Sequence, residues 1–175
     1  FHLFFLEDSL STENINWFPK LRAQTHTPLA MRELFNNVNE FRPLIASGDI
    51  DFIRCHISQL GGITPARKLS AFAELFGVKT AWHGPGDLSP IGMAAQVHLD
   101  LAIPNFGLQE HRNYDSIMFD MFPGAPEIRN TYLYVNDKPG LGVDFNEELA
   151  KKYPPKGYNS SGFLQRQVDG TAVRT

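Results

Sequence analysis

The chain has 175 residues, of which 42% are hydrophobic, so it can form a buried core and is neither a disordered segment nor a disulfide-stapled miniature. Its 16 basic and 19 acidic side chains give a net charge of -3, which leaves no excess of positive charge for binding the phosphates of a nucleic acid. No apolar run approaches the roughly 18 residues that span a membrane, so no membrane partner is expected. The single cysteine, Cys55, lies in an apolar run and predicts a buried thiol in a reducing compartment, the cytoplasm.

Short apolar runs alternate with helical patterns as far as residue 113. Each run is followed by capping or turn residues and then by apolar residues at helical spacing, as in a repeated βα unit. Continuous apolar runs of this kind are typical of strands buried on both faces of a parallel sheet. The predicted strands are residues 3–6, 27–31, 51–57, 78–82 and 101–109, and the predicted helices cover residues 15–21, 38–45, 65–76 and 90–99, the third with Thr64 as its N-cap.

A titratable side chain marks the end of each predicted strand. From Glu7, the successive spacings to Glu33, His56, His83 and Glu110 are 26, 23, 27 and 27 residues, so the unit repeats. Strands that alternate with helices at this period indicate a parallel sheet with right-handed crossovers. Functional groups on five successive strands converge only in a ring, because an open sheet gathers its ligands at one switch point. The sequence therefore favours an α/β barrel over an open doubly wound sheet.

The stretch from residue 80 to residue 87 ends a strand in a histidine, a Gly-Pro-Gly turn and a carboxylate. Glycine lets the backbone come close to a ligand, and side chains at the carboxyl end of a parallel strand reach that ligand. His83 is a candidate general acid or base, since histidine titrates near neutral pH. Asp87 could orient the imidazole or a substrate hydroxyl. The alternative for His83 is a structural histidine that is hydrogen-bonded at a strand end.

Glu7 and Glu33 end neighbouring predicted strands, so their carboxylates are expected to approach each other at the barrel mouth. Like charges at short distance need a cation, and ligation by oxygen alone suits Mg²⁺. The alternative is a salt bridge from Glu33 to Arg32 or Arg54.

Three further residues belong to the predicted barrel mouth. Arg54 could neutralise a substrate carboxylate or a developing oxyanion. Glu110 could accept hydrogen bonds from a polyol or share a proton with a carboxylate. His56 either shares the mouth with Arg54 or is a packed structural histidine.

The pattern changes near residue 114. Residues 127–135 alternate as in a hairpin, and residues 146–152 predict a short helix. We divide the chain into residues 1–113, the last five βα units of the barrel, and residues 114–175, an extension that completes the same domain and covers its loops.

Five short segments of the sequence form distinctive motifs when taken together: residues 5–8, 27–36, 53–64, 81–87 and 108–111. The first two resemble the enolase superfamily, and the other three resemble, within it, the mannonate dehydratase branch. The resemblance runs across essentially the whole chain. It implies the C-terminal part of a (β/α)7β barrel, with the capping domain and first strands preceding residue 1, so that this part alone would be inactive.

The resemblance also implies an activity, the Mg²⁺-dependent removal of water from a sugar acid, D-mannonate first. The product would be a 2-keto-3-deoxy acid, formed through an enediolate. The implied partner is a small sugar acid, and the protein would be a homo-oligomer. Glu7 and Glu33 match metal ligands of that family, and Arg54, His83, Asp87 and Glu110 match residues that line its substrate pocket, with His83 the candidate catalytic residue.

Two features depart from the family pattern. Arg32 precedes Glu33 where the family often has glycine, and residues 168–173 lack a tryptophan often seen there. These departures leave open a dehydratase for gluconate or another sugar acid, and an inactive relative with a binding or regulatory role. Glu7, Glu33, His83 and Glu110 favour an enzyme, because a scaffold would need none of them.

Overall fold

A computed structural model of the chain describes residues 2–31 and 35–154, together with the backbone of two short strands, Gln165–Arg166 and Ala172–Val173. Glu33 and its neighbour Arg32 lie outside the described residues, as does most of the tail. The chain divides into two compact units, Phe1–Phe145 and Asn146–Thr175. The boundary that the sequence suggests at residue 113 stays a prediction.

Five strands of the first unit form one parallel sheet in the order β1-β2-β3-β4-β5. Strands that are consecutive in the chain are therefore neighbours in the sheet, with no switch point. This is the strand order of a barrel and differs from that of a doubly wound sheet, which confirms the predicted fold class. The strands are β1 (Leu6–Glu7), β2 (Leu29–Met31), β3 (Phe52–Ile53), β4 (Lys79–Trp82) and β5 (Phe106–Gln109).

Helices connect the strands as expected. A 3₁₀ helix at Thr12–Trp17 leads into α1, and three longer helices follow: α1 (Phe18–Arg22), α2 (Val38–Ser47), α3 (Ile63–Leu75) and α4 (Pro90–Ala102). Helix α2 ends at Gly48, as predicted, because the residue there has a φ of 72°, a left-handed conformation that glycine adopts without strain. Helix α3 instead begins after Gly62, so the predicted N-cap at Thr64 is wrong by two residues.

The strands are shorter than the apolar runs predict. Leu3 and Phe4 precede β1 and are 52% and 64% exposed, so the expectation that this run is buried on both faces is wrong. The physical reason is position: among the described residues, β1 pairs only with β2 and lies at an edge of the sheet. At the other edge, α4 continues through Ala102, so β5 begins only at Phe106.

The residues after β5 contain α5 (Ser116–Met121) and an antiparallel hairpin of β6 (Glu127–Arg129) and β7 (Tyr132–Tyr134). The hairpin confirms the alternation seen in the sequence. The second unit contains the predicted short helix, α6 (Glu147–Ala150), and the antiparallel strands β8 (Gln165–Arg166) and β9 (Ala172–Val173).

The core lies between the sheet and the helices. Met31, Ile53 and Trp82 from three strands pack with Ile45 of α2 and Met93 of α4, and all are buried. Cys55 is a buried free thiol, as predicted, and burial raises its pKa. The described part of the chain holds no helix with the length and apolar character needed to cross a bilayer.

Candidate functional site

Arg54 lies at the centre of the predicted site, just after β3, with its side chain 3% exposed. Its Nε donates a hydrogen bond to Glu7 Oε1 at 2.6 Å, and its Nη2 donates one to Glu110 Oε2 at 2.7 Å. Glu7 ends β1 and Glu110 follows β5, the two edge strands of the sheet. In a flat sheet those strands would be about 19 Å apart, since neighbouring strands are spaced about 4.8 Å. One guanidinium reaches both carboxylates because the sheet curves as in a barrel.

Glu110 is the second charged group of this cluster. Burial alone would raise the pKa of Glu110, but the backbone N–H of Gly84, the guanidinium of Arg54 and the ring of His83 together hold that pKa below its ordinary value. Gly84 N donates to Glu110 Oε2 at 3.0 Å, and His83 Nε2 lies 3.8 Å from the same oxygen. Glu110 is therefore a fixed, ionised carboxylate.

The position of Glu110 depends on a close backbone approach at Gly84. A methyl group on Gly84 would lie 1.9 Å from the carbonyl oxygen of Glu110, well inside van der Waals contact. Glycine therefore allows the turn after β4 to lie against the end of β5, as the Gly-Pro-Gly sequence predicts.

His83 is brought to the cluster by β4. Its backbone N–H donates to the carbonyl of Cys55 at 3.1 Å, and its ring lies 5.8 Å from the ring of His56 in an edge-to-face arrangement. His56 is buried, and its Nδ1 accepts the backbone N–H of Ser58 at 3.1 Å. His56 is thus a packed histidine that also contacts His83, so the two alternatives for this residue are not exclusive.

Asp87 is placed differently from the other predicted residues. It lies exposed in a turn in which Leu88 N donates to Pro85 O at 3.1 Å. Within residues 2–31 and 35–154, no hydrogen bond or ion pair joins Asp87 to the cluster of Glu7, Arg54 and Glu110.

Two glutamines that the sequence does not mark as functional, Gln96 and Gln109, make hydrogen bonds to the backbone of the site residues. Gln96, buried on α4, donates from Nε2 to the carbonyl of His83 at 2.9 Å. Gln109 donates from Nε2 to Gln96 Oε1 at 2.9 Å and to the carbonyl of Glu110 at 2.7 Å. This network fixes the backbone at both strand ends. The sequence offered one signal of this role, a polar residue at position 96 within an otherwise apolar helical pattern.

The metal site can be tested only in part. Glu7 is a partly exposed carboxylate and offers the hard oxygen that Mg²⁺ prefers, although its Oε1 already accepts a hydrogen bond from Arg54. The described residues contain no group of three His, Cys, Asp or Glu side chains that could hold a metal. Glu7 therefore fits as one ligand, and a complete site needs ligands from outside these residues.

Known proteins match this chain along nearly its whole length. A family model described as enolase C-terminal domain-like matches residues 1–149. D-galactonate dehydratase family members from Musicola paradisiaca and Salmonella enteritidis are 55% and 56% identical over 174 residues, which is 99% of this chain and 42% of each relative. The chain thus spans less than half the length of these curated relatives.

A solved structure agrees with these matches. A crystal structure of an enolase from Pantoea ananatis with bound D-gluconate and Mg is 55% identical and superposes with a TM-score of 0.92, covering 99% of this chain and 42% of that one. The sequential parallel sheet and the family match lead to the same assignment: the chain belongs to the enolase C-terminal domain-like family, as the sequence resemblance implies.

Proposed function

We propose that the full-length protein removes water from a sugar acid in a Mg²⁺-dependent reaction. The observation that carries the proposal is the contact of one buried guanidinium with carboxylates from both edges of the sheet, beside an imidazole. Charged groups gathered at the carboxyl ends of parallel strands form active sites in barrel enzymes. The dehydratase names of the relatives and the sugar acid bound by the Pantoea protein support the same reaction class.

The reaction is a β-elimination with a simple balance of atoms. A base takes the proton from the carbon next to the carboxylate, and the carbon–oxygen bond at the following carbon breaks. A general acid gives its proton to the departing hydroxyl, which leaves as water, and the enol that remains becomes the 2-keto-3-deoxy acid. In this scheme His83 transfers a proton or holds a substrate hydroxyl, since its Nε2 lies on the side of Glu110.

Arg54 and Glu110 are assigned to substrate binding. The guanidinium offers fixed donors for an anionic oxygen, and the ionised carboxylate accepts hydrogen bonds from sugar hydroxyls. Asp87, on its exposed turn, is proposed to reach the substrate from the loop after β4.

The metal is assigned to Glu7 and Glu33. When bound, Mg²⁺ stabilises the negative charge that develops on the substrate carboxylate during proton removal. The carboxylate of Glu7 is one hard-oxygen donor, and Glu33 is proposed as the next because it follows the neighbouring strand β2 in the sequence.

Among sugar acids, D-gluconate is the first candidate, because it is the ligand of the similar Pantoea structure. D-mannonate, which the sequence analysis placed first, stays a second candidate, and D-galactonate a third from the names of the relatives. The predicted homo-oligomer and cytoplasmic location belong to the same proposal.

The test is turnover by the full-length protein over a panel of hexonic acids, with Mg²⁺ and with EDTA. We expect Mg²⁺-dependent release of a 2-keto-3-deoxy acid from at least one of them, and its loss in Glu33→Gln. Glu74→Gln, an exposed glutamate on α3, is the matched control and should keep full turnover. Wild-type turnover in Glu33→Gln would remove the metal assignment, and no turnover on any acid would favour the inactive relative.

A further inference from the structure

Arg112 is an exposed cation beside the candidate site to which neither the sequence pattern nor the proposed reaction gives a role. Its side chain lies across the turn that follows β4: a methyl group on Gly86 would lie 2.8 Å from Cδ and 3.2 Å from Cζ of Arg112. The guanidinium therefore contacts the residue next to Asp87. Among the described residues, neither Arg112 nor Asp87 forms an ion pair.

The turn after β4 and the residues after β5 run side by side. Gly84 N donates to Glu110 Oε2 at 3.0 Å, and Gly86 lies against Arg112, two residues farther along each segment. Two residues of chain span at most about 7 Å, so the Cα of Arg112 lies within that distance of the Cα of Glu110. A six-carbon acid held by one end at Arg54 and Glu110 is of similar length, so its other end can reach the Arg112 side chain.

Asp87 and Arg112 bring opposite charges close together at the rim of the site. A hydroxyl group both donates and accepts hydrogen bonds, so it can donate to the carboxylate and accept from the guanidinium at once. A second carboxylate on the ligand could only accept, and it would lie beside the negative charge of Asp87, which is unfavourable. The pair therefore suits the hydroxyl end of a sugar acid better than a second acid group.

The position and reach of Arg112 favour a ligand contact over a purely structural role. The residue follows β5 at the edge of the sheet where barrel enzymes bind their ligands. Its side chain is long and exposed, so the guanidinium can move from the backbone of Gly86 to a bound hydroxyl group. Because no ion pair holds the guanidinium within the described part of the chain, none has to break when a ligand binds.

We infer that Arg112 and Asp87 bind the terminal hydroxyl group of the substrate and make the protein select a six-carbon acid with a single carboxylate. The inference rests on the proposed function, because it concerns the substrate of the same site. It adds a binding residue and narrows the substrate class. Five-carbon acids end before this pair of residues, and the second carboxylate of a diacid meets the charge of Asp87.

The test is a matched series of three acids, turned over by the full-length protein with Mg²⁺. D-Xylonate has the configuration of D-gluconate at C2–C4 but lacks the sixth carbon, and D-glucarate has a second carboxylate in place of the terminal CH2OH group. We expect kcat/KM for D-gluconate to exceed that for each of the others on the order of tenfold, the usual effect of one hydrogen bond to a charged group. If another hexonic acid is the better substrate, its own five-carbon and diacid counterparts form the series.

Arg112→Met removes the donors but keeps most of the length of the side chain. We expect its kcat/KM to fall about tenfold for D-gluconate, through a higher KM, and to stay unchanged for D-xylonate, so that the preference disappears. Arg112→Lys keeps a donor and should keep part of the preference. Arg67→Met, at an exposed position on α3, is the matched control and should behave as wild type with all three acids.

An unchanged kcat/KM for D-gluconate in Arg112→Met would overturn the inference. An equal loss for D-gluconate and D-xylonate would also overturn it, because Arg112 would then support the site as a whole, and so would D-glucarate turned over as fast as D-gluconate. Dissociation constants of the same acids, measured by calorimetry, separate the inference from the proposed reaction. A protein that converts no acid but binds D-gluconate more tightly than its Arg112→Met variant would contradict the reaction and support the contact, whereas no binding of any acid would contradict both.

Discussion

At the scale of single residues, Arg54 connects more of the candidate site than any other side chain described above. Its guanidinium contacts Glu7 and Glu110 at once, at 2.6 and 2.7 Å, while almost fully buried. The planar guanidinium places its donors on separate nitrogens, one facing each carboxylate, whereas a lysine ammonium has all its donors on one nitrogen. Replacing Arg54 with lysine therefore keeps the positive charge and removes the geometry of the guanidinium donors.

We expect Arg54→Lys to lower kcat/KM of the full-length protein on the order of 10²-fold, because losing one partner of such a charged contact costs about 3 kcal/mol. The measurement is steady-state turnover with the best sugar acid. Arg67→Lys, at an exposed position on α3, is the matched control and should behave as wild type. Equal kcat/KM in both variants would show that the fork geometry is unimportant.

Gly84 offers a second test at this scale. In Gly84→Ala the new methyl group meets the backbone of Glu110, which cannot move aside cheaply, so we expect a loss of activity together with a lower unfolding midpoint. Gly86→Ala is the matched control, since its methyl group would meet the flexible side chain of Arg112. A Gly84→Ala protein as stable and active as Gly86→Ala would contradict the close approach.

At this scale the sequence predicts that polar side chains at strand ends lie together, while their catalytic and binding roles stay predictions. Glu7, Arg54, His83 and Glu110 were identifiable because each interrupts or follows an apolar run, and the structure brings all four together. Gln96 was missed because periodicity alone does not distinguish a buried amide that holds a backbone carbonyl from a tolerated polar residue on a helix. Its role depends on partners 13 residues away in both directions, at His83 and Gln109.

At the scale of elements, helix α4 connects the stability of the fold to the site. Ser89 is its N-cap and accepts the backbone N–H of Gly92 at 3.1 Å, and Pro90 occupies the first turn. The same helix carries Gln96, which fixes the backbone of His83. The start of α4 therefore affects the site through the helix position.

We expect Ser89→Ala to lower the free energy of unfolding by about 1 kcal/mol, the usual loss when a capping side chain is removed. Urea unfolding of the full-length protein measures it. Ser89→Asp retains a capping oxygen and should stay close to the unchanged protein. If alanine and aspartate at this position gave the same stability, the cap would contribute nothing.

The existence of the helices and strands was easier to predict than the residues at which they begin and end. The five strands and four connecting helices follow from alternation and capping, but apolar runs do not show where pairing stops. Leu3 and Phe4 have strand composition, yet they lie beyond the paired part of an edge strand. Helix α3 starts after Gly62, whose φ of 102° suits glycine, whereas the sequence pattern predicts Thr64 as the N-cap.

At the scale of the whole molecule, the curvature of the sheet was predictable from the regular spacing of strand ends, but its closure was not. The residues that would complete the ring are not among those described. The buried carboxylate of Asp100 was not identifiable from sequence, because this residue follows an ordinary amphipathic pattern in α4.

Asp100 is expected to make the free energy of unfolding depend on pH. Burial raises the pKa of Asp100 in the folded 175-residue chain to about 8, and the indole N–H of Trp82 offsets only part of that rise. The unfolded chain releases this proton near pH 4, so between about pH 4 and pH 8 the folded state holds one proton more. The free energy of unfolding should therefore decrease as the pH rises through this window.

Urea unfolding of the 175-residue chain at pH 5 and pH 8 measures this slope. Asp100→Asn should flatten it and stabilise the chain at pH 8, where the unchanged protein carries the unfavourable charge. An identical pH dependence with and without the substitution would exclude Asp100 as its source.

The most direct test of the proposed function is a crystal structure of the full-length protein with Mg²⁺ and D-gluconate. The account predicts the metal bound by the carboxylates of Glu7 and Glu33, with Arg54, His83 and Glu110 in contact with the sugar acid. A metal held elsewhere, or a sugar acid bound away from Arg54, would contradict it.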